Sequence, residues 1–198
     1  MPKSKKQCEE IKERTRQNII EKSILYFSRN GFSGTKMSDL CQYIGIAQGS
    51  IYNYFESKEE LFEEIRKIVS SFDAEPMEKL VKLPLSAKKK IEILSKHVIK
   101  KLKEDQIFVA AMALGTQELL ESQGNQQVNA AYECEIYKLL GLVVEQGQRE
   151  KTVVDGNVMK LVDLYWGTVY LYALKKLFSE NYIMIDAADL DRILLKRA

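Results

Sequence analysis

The feature that most constrains this chain is a pair of short helical stretches separated by only three residues, Gly45 to Ala47. The first stretch, Lys36 to Ile44, carries apolar residues at helical spacing, and Gly45 is a typical stop signal. Thr35 is expected to cap its start with a side-chain oxygen. The second stretch runs from Gln48 to Phe55. Two short helices joined by a turn that contains glycine form a helix-turn-helix.

The segments on either side complete a small helical domain. A longer helix is predicted from Glu9 to Asn30, because apolar residues recur at i, i+4 and i+7 on one side while charged residues fill the other. Gly31 then ends this helix. After the two short helices, Ser57 is expected to begin a further helix, with Glu60 completing a capping box.

The rest of the chain predicts more helices and no sheet. The whole chain has only 10 glycines and 3 prolines, too few for a turn-rich β fold. No alternation of apolar and polar residues, as in a strand, persists along the chain. Pro76 and Pro84 mark a domain boundary. The predicted fold class is all-α, with a three-helix helix-turn-helix domain over 1–57, a connecting helix over 58–75 and a larger domain over 76–198. Helices of the larger domain are expected after Ser86 and at about 105–122, 126–147, 155–180 and 186–197.

The composition argues against the usual enzyme classes. The chain has one histidine, His97, and three widely spaced cysteines without a CxxC or HExxH pattern. These counts disfavour multi-histidine metal centres, a disulfide framework and histidine-based hydrolase mechanisms. We therefore expect no catalytic residues, no metal, no cofactor and no enzymatic activity. No apolar run is long enough to span a membrane, and the lysine-rich start lacks the apolar core of a signal peptide, so a cytoplasmic location is expected.

The charge is distributed unevenly along the chain. Residues 1–57 contain nine basic and six acidic side chains, whereas residues 58–198 contain 21 basic and 22 acidic ones. A basic excess suits contact with phosphates, although a solvated charged face has the same composition.

A helical projection of the second short helix separates two faces. Ile51, Phe55 and Gln48 fall on the inward side. The outward side carries small and polar residues with a tyrosine on each flank, namely Gly49, Ser50, Asn53, Tyr52 and Tyr54. Glycine permits close backbone approach, serine and asparagine hydrogen-bond base edges, and tyrosine hydroxyls reach phosphates. The alternative is a surface helix whose tyrosines cover the edges of the core.

The span from Arg16 to Phe62 resembles the N-terminal DNA-binding domain of the TetR family of bacterial transcription regulators. The residues that carry this resemblance are Ile19–Phe27, Gly31–Phe32, Thr35, Asp39–Leu40, Gly45–Phe55 and Ser57–Leu61. Cys41 departs from the alanine that is usual in the family, and Tyr54 stands where histidine or tyrosine is common.

The resemblance implies roles for individual residues. The residues expected to face the major groove are Gln48, Gly49, Ser50 and Asn53, with Ser38 beside them. The residues expected to contact phosphates are Thr35, Lys36, Tyr52, Tyr54 and Lys58. Lys3, Lys5 and Lys6 either reach the adjacent DNA backbone or form a free solvated tail.

The larger domain resembles the family only in the number and order of its helices. Its segment 158–178 is apolar on nearly every side, so it must be covered on every side. The simplest cover is the chain's own core on one face and a second copy of the chain on another. Together with the last helix the segment can form an intersubunit four-helix bundle. We therefore expect a homodimer through residues 155–197. In this family such a dimer reads two half-sites, which implies a roughly palindromic duplex operator.

The resemblance also implies a small-molecule effector site in the larger domain. The candidate lining residues are Phe108, Met112, Tyr132, Tyr137, Tyr165, Trp166 and Tyr170. At helical spacing, such residues more often belong to the core or an interface. Glu118, Glu133 and Asp163 are either polar anchors or solvated. Lys88–Lys90 is expected to be a solvated helix start, and His97 lies at the edge of an apolar stripe without an assigned ligand.

These features predict a dimeric, sequence-specific DNA-binding regulator, a repressor released when an effector occupies the larger domain. One alternative is a DNA-binding regulator that a protein partner controls without a small-molecule ligand. The other is an all-α protein-interaction module whose first domain does not bind DNA. The effector and its charge, the operator, the regulated genes and the choice between repression and activation stay open.

Overall fold

The computed structural model describes residues 5–71, 73–121 and 134–197. The chain divides into two compact units, the first ending at Ile68 and the second beginning at Val69. The first helices are α1 (Lys5–Asn30), α2 (Met37–Ile44), α3 (Gln48–Ile51) and α4 (Lys58–Ser70). The later helices are α5 (Ala74–Lys82), α6 (Ala87–Glu104), α7 (Gln106–Glu121), α8 (Glu135–Arg149), α9 (Val158–Phe178) and α10 (Ala187–Leu194).

The predicted all-α class is confirmed, with a helix-turn-helix at the N-terminus and a larger helical part after it. Several predicted helix ends are wrong by a few residues. α1 begins at Lys5 rather than Glu9, and α9 and α10 are shorter than the predicted 155–180 and 186–197. The predicted helix over 126–147 begins outside the described residues, and its described part, α8, continues to Arg149.

The first unit is organised around a small apolar core. α1 packs on α2, and α2 packs on α3. Gly45 has a left-handed φ of 85°, and its N–H donates to the Cys41 carbonyl at 2.9 Å, which ends α2. The buried apolar residues are Ile19, Ile20, Ile24, Phe27, Leu40, Cys41, Ile44, Ile51, Phe55, Leu61 and Ile65.

The second short helix is shorter than predicted. α3 ends at Ile51, and the N–H groups of Tyr54 and Phe55 both donate to the Ile51 carbonyl, at 2.9 and 3.0 Å. The inward position of Ile51 and Phe55 is confirmed, since both side chains are buried. The inward position of Gln48 is wrong, because this residue is exposed. A projection at constant helical spacing does not describe a single turn of helix followed by a tight turn.

The predicted caps have different outcomes. The Thr35 cap is wrong: Lys36 occupies the N-cap of α2 without a side-chain bond, while the buried Thr35 hydroxyl donates to the Gly31 carbonyl at 2.6 Å. The Ser57 cap is confirmed, because the Glu60 N–H donates to Ser57 Oγ at 3.0 Å. The second half of the predicted capping box is wrong, because the Glu60 carboxylate accepts from the backbone N–H of Glu56, one residue before Ser57.

In the second unit, α9 packs against α6, α7, α8 and α10. Its inward side chains are buried, among them Tyr165, Trp166 and Val169. The backbone near the C-terminus is tied to the connection between α8 and α9, because the N–H of Lys196 donates to the Thr152 carbonyl at 3.0 Å. Within the described ranges, no helix is both long and apolar enough to cross a membrane.

The predicted solvated start of α6 is wrong for one of its three lysines. Lys90 is only 5% exposed, and its ammonium donates to the Val81 carbonyl at 2.7 Å and to Gln146 Oε1 at 3.0 Å. Lys88 and Lys89 are exposed. A lysine can bury its aliphatic stem when its ammonium finds acceptors, as it does here between α5, α6 and α8.

Candidate nucleic-acid interface

α3 and the turn after it expose a small polar surface. It consists of Gln48, Gly49, Ser50, Tyr52 and Asn53, all of which are exposed, and we call it the recognition surface. Ile51 and Phe55 lie in the core beneath it, 0% and 1% exposed. The segment is therefore anchored by two apolar side chains while its hydrogen-bonding groups remain available to a ligand.

Gly49 leaves an opening in this surface. A Cβ atom added at Gly49 would meet no atom of the described residues within 4 Å, and its φ is not in the left-handed region. Neither packing nor backbone conformation therefore requires glycine, although glycine within a helix costs about 0.5–1 kcal/mol relative to alanine. The opening permits another molecule to approach the backbone closely.

Lys58 binds the loop that precedes α2. Its ammonium donates to the carbonyls of Phe32 and Thr35, at 3.0 and 2.9 Å, and lies 4.2 Å from the centre of the Phe32 ring. An ammonium has three donors, so one remains for a phosphate. Lys58 thus connects α4 to the loop before α2, a structural role that the sequence does not indicate.

Replacing Lys58 by methionine is expected to lower the free energy of unfolding by about 1–3 kcal/mol, because two charge-assisted hydrogen bonds are lost. Lys36→Met is the matched control, since Lys36 is exposed at the start of α2, and it should leave stability unchanged. Urea unfolding of both variants measures this difference. Equal stability of the two variants would contradict the structural role of Lys58.

The other predicted contact residues lie in different surroundings. Lys36 and Ser38 are exposed, and Ser38 Oγ donates to Asp39 Oδ1 at 3.0 Å. Tyr54 follows the recognition surface in the sequence, and its side chain is half-buried. The Thr35 hydroxyl is buried against Gly31, so in this structure it is not presented to a phosphate.

Two basic residues hold the helices of the first unit in place through contacts that the sequence pattern does not indicate. Lys22 donates to the Ile44 carbonyl at 2.8 Å, where it contacts the C-terminal end of α2. Arg16 pairs with Glu64 and lies 4.9 Å from the centre of the Phe55 ring. The partners are 22 and 48 residues apart, so local patterns do not reveal them.

The core of the first unit contains one thiol. Burial raises the pKa of the Cys41 thiol, which therefore stays protonated within the core at neutral pH. In the part of the chain that the structure describes, no group of three or more His, Cys, Asp and Glu residues is placed to bind a metal.

The predicted effector residues lie mainly in the core of the second unit. Phe108, Met112, Tyr137, Tyr165 and Trp166 are buried, and Tyr170 is half-buried. Tyr132 lies outside the described residues, as do the side chains of Glu118 and Glu133.

One buried polar group stands out among these candidates. The Trp166 indole is 2% exposed, yet its Nε1–H has no hydrogen-bond acceptor among the residues that the structure describes. By contrast, the hydroxyl of Tyr165 lies 3.2 Å from Ser95 Oγ. An unsatisfied buried donor costs about 1–3 kcal/mol. The Trp166 N–H is therefore a group that an incoming acceptor would stabilise.

The surroundings of Tyr170 disfavour negative charge. Desolvation raises the pKa of the Tyr170 hydroxyl well above its ordinary value, and Tyr137, Cys134 and Asp163 raise it further. Because Asp163 and Trp166 lie three residues apart on α9, they are neighbours on the helix surface.

Residues 19–65 match the family model described as bacterial regulatory proteins, tetR family. The chain is also 33% identical over 69 residues to the HTH-type transcriptional regulator AcrR of Shigella flexneri, an alignment that covers 35% of this chain and 30% of that protein. The chain thus spans less than a third of the length of that relative.

A longer alignment relates the chain to the fatty acid metabolism regulator protein of Bacillus subtilis strain 168. It is 25% identical over 153 residues and covers 76% of this chain and 77% of that protein. Among solved structures, the ketosteroid transcriptional regulator KstR2 of Mycobacterium tuberculosis superposes with a TM-score of 0.70 at 16% identity, covering 92% of this chain and 95% of that chain. This likeness shows that the fold is shared.

Proposed function

Because this chain belongs to the TetR family of bacterial regulatory proteins, we propose that it is a sequence-specific DNA-binding transcriptional regulator. The observation that carries the proposal is the recognition surface, whose polar groups are exposed above a buried Ile51 and Phe55. Ser50 and Asn53 supply hydrogen bonds to base edges, Gly49 permits close backbone approach, and Tyr52 reaches a phosphate.

The regulator acts as a homodimer through residues 155–197. α9 carries exposed apolar side chains at Leu164, Leu171 and Phe178, which are 59%, 48% and 55% exposed. Gly167 lies between them, and a Cβ there would meet nothing within 4 Å among the described residues. This spacing forms one stripe along α9, and an exposed apolar stripe is typical of an interface. A two-fold dimer presents two recognition surfaces to a palindromic duplex.

An effector bound in the second unit releases the operator, so the regulator is a repressor. The effector binds within the aromatic group that includes Trp166 and Tyr170. There the Trp166 N–H, which has no acceptor among the described residues, donates to an uncharged acceptor such as an ester carbonyl. Release follows when the effector binds more tightly to a conformation whose two recognition surfaces no longer fit successive half-sites.

Selection from a random duplex pool tests the DNA-binding proposal. After several rounds at physiological salt, we expect one roughly palindromic sequence to be enriched. Salt-sensitive binding of all duplexes without enrichment would contradict sequence-specific recognition, and it would favour the protein-interaction module instead.

Methyl decanoate and decanoate test the effector proposal. The first compounds are acyl chains because the Bacillus relative is named for fatty acid metabolism. The chain has one tryptophan, so its indole N–H gives one resonance in a ¹⁵N-labelled sample. We expect the ester, but not the anion, to shift this resonance downfield and to release the operator.

Trp166→Phe is expected to raise the ester concentration for half-release by about 3–10-fold, because one hydrogen bond is lost. Tyr172→Phe is the matched control, since Tyr172 is only partly buried against the core, and it should respond like the unmodified protein. An unchanged response of Trp166→Phe would contradict the assigned donor.

A further inference from the structure

A groove lies on the second unit between α5 and α6. Its volume is about 290 Å³. The lining residues are Asp73, Pro76, Met77, Lys79, Leu80, Leu83, Ile93, Leu94 and His97. None of them belongs to the predicted effector residues, so the groove is separate from the aromatic group around Trp166.

The groove has an apolar floor that the described residues leave partly uncovered. Met77, Leu80 and Leu94 form its buried part, whereas Leu83 and Ile93 are 46% and 36% exposed. Pockets for small ligands usually measure about 300–1,000 Å³, so this groove is at the lower limit. Its size suits a few aliphatic side chains that project from another helix.

Asp73, one of the lining residues, is a buried carboxylate with two partners on α6. Asp73 has a left-handed φ of 65°, and its side chain is 8% exposed. It accepts a hydrogen bond from His97 Nε2 at 2.7 Å and pairs with Lys101 Nζ at 3.2 Å. These contacts fix the start of α5 on α6 and leave the acidic group little direct access to a partner.

α6, which lines one side of the groove with Ile93, Leu94 and His97, is rich in lysine. α6 contains seven lysines and two glutamates, although the whole chain has a net charge of only +2. Lys96, Lys100 and Lys103 are exposed, and none of them forms an ion pair within the described residues. With Ile93 they follow one face of α6 at intervals of three and four residues. On α5, by contrast, Lys79 and Lys82 pair with Glu75 and Glu78.

We propose that this groove docks an acidic amphipathic helix of a partner protein. The partner's apolar side chains, spaced i, i+3 or i+4 and i+7, enter between Leu83 and Ile93. Its carboxylates face the exposed lysines of α6, Lys96, Lys100 and Lys103. A groove fits the side chains of a helix better than it fits a flat lipid surface. This site goes beyond the DNA-binding role and adds a surface through which a partner protein contacts the regulator.

A labelled helical peptide of about 15 residues tests the proposal, a length at which helices begin to be stable in water. It carries leucine at i, i+4 and i+7 with glutamate on both flanks. Two comparison peptides have the same composition in scrambled order, or lysine in place of glutamate. Fluorescence anisotropy with the full chain should show saturable binding of the acidic amphipathic peptide alone.

Ile93→Asp is expected to weaken peptide binding at least about tenfold, because it places a charge within the apolar floor. Leu142→Asp is the matched control, since Leu142 is 51% exposed on α8 outside the groove, and it should bind like the unmodified chain. The double variant Lys100→Glu, Lys103→Glu should lose the acidic peptide and gain the lysine peptide.

Three results would overturn the proposal. One is equal binding of the scrambled peptide, which would show unspecific attraction. Another is unchanged binding by Ile93→Asp when its thermal unfolding is normal. The third is binding to phosphatidylglycerol vesicles without binding to the acidic peptide, which would identify a membrane surface instead. Operator binding is measured separately, so failure of this site leaves the DNA-binding proposal untouched.

Discussion

A protein with Gly49 replaced by leucine is expected to fold normally and to lose operator binding. In the free chain the new side chain enters open space, because a Cβ at this position meets nothing within 4 Å of the described residues. Removing a glycine from a helix is itself favourable. On DNA, however, the leucine would separate the recognition surface from the bases. Each lost base contact costs about 1–3 kcal/mol, so we expect operator affinity to fall at least about 100-fold.

Fluorescence anisotropy on the selected operator measures this loss, and thermal unfolding checks the fold. Glu145→Leu is the control, since Glu145 is exposed on α8 and lies far from the recognition surface in sequence. It should keep full affinity. A folded Gly49→Leu protein with unchanged operator affinity would show that this backbone does not approach DNA.

The second large effect is expected at Gly167, where leucine should convert the dimer to a monomer. Glycine in the middle of a helix costs about 1 kcal/mol relative to alanine. No contact of the described residues explains why glycine stands at position 167. A close approach by α9 of a second copy of the chain would explain the glycine at this position. At a two-fold interface one substitution acts twice, so we expect the dissociation constant of the dimer to rise at least about 100-fold.

Sedimentation equilibrium at micromolar concentration measures the dimer directly. Gly167→Leu should sediment as a folded monomer and bind the palindrome weakly, while its recognition surface is unchanged. The Glu145→Leu control should remain dimeric. A dimer of normal stability in Gly167→Leu would place the interface elsewhere than on this stripe.

The overall fold follows from local sequence patterns to a large extent. The spacing of Ile20, Ile24 and Phe27 identifies α1, and Gly45 marks the end of α2 because its left-handed φ of 85° favours glycine. Ile51 and Phe55 were predictable as the buried anchors. The early end of α3 was not, because its residues carry no stop signal and the chain turns through hydrogen bonds to the Ile51 carbonyl.

The candidate site depends on contacts that sequence patterns do not contain. Lys58 is predicted to contact a phosphate, but its bonds to the carbonyls of Phe32 and Thr35 join segments far apart in the chain. Lys90 has the charge of a surface residue, and only the acceptors on Val81 and Gln146 permit its burial. The groove between α5 and α6 likewise exists only once both helices are packed.

The most direct test of the central proposal is the affinity of the unmodified chain for its selected operator and for a scrambled duplex of the same composition. Both are measured by anisotropy at physiological salt. We expect two chains to bind each operator and to prefer it at least about 1,000-fold over the scrambled duplex. Equal affinity for the two duplexes would contradict a sequence-specific regulator.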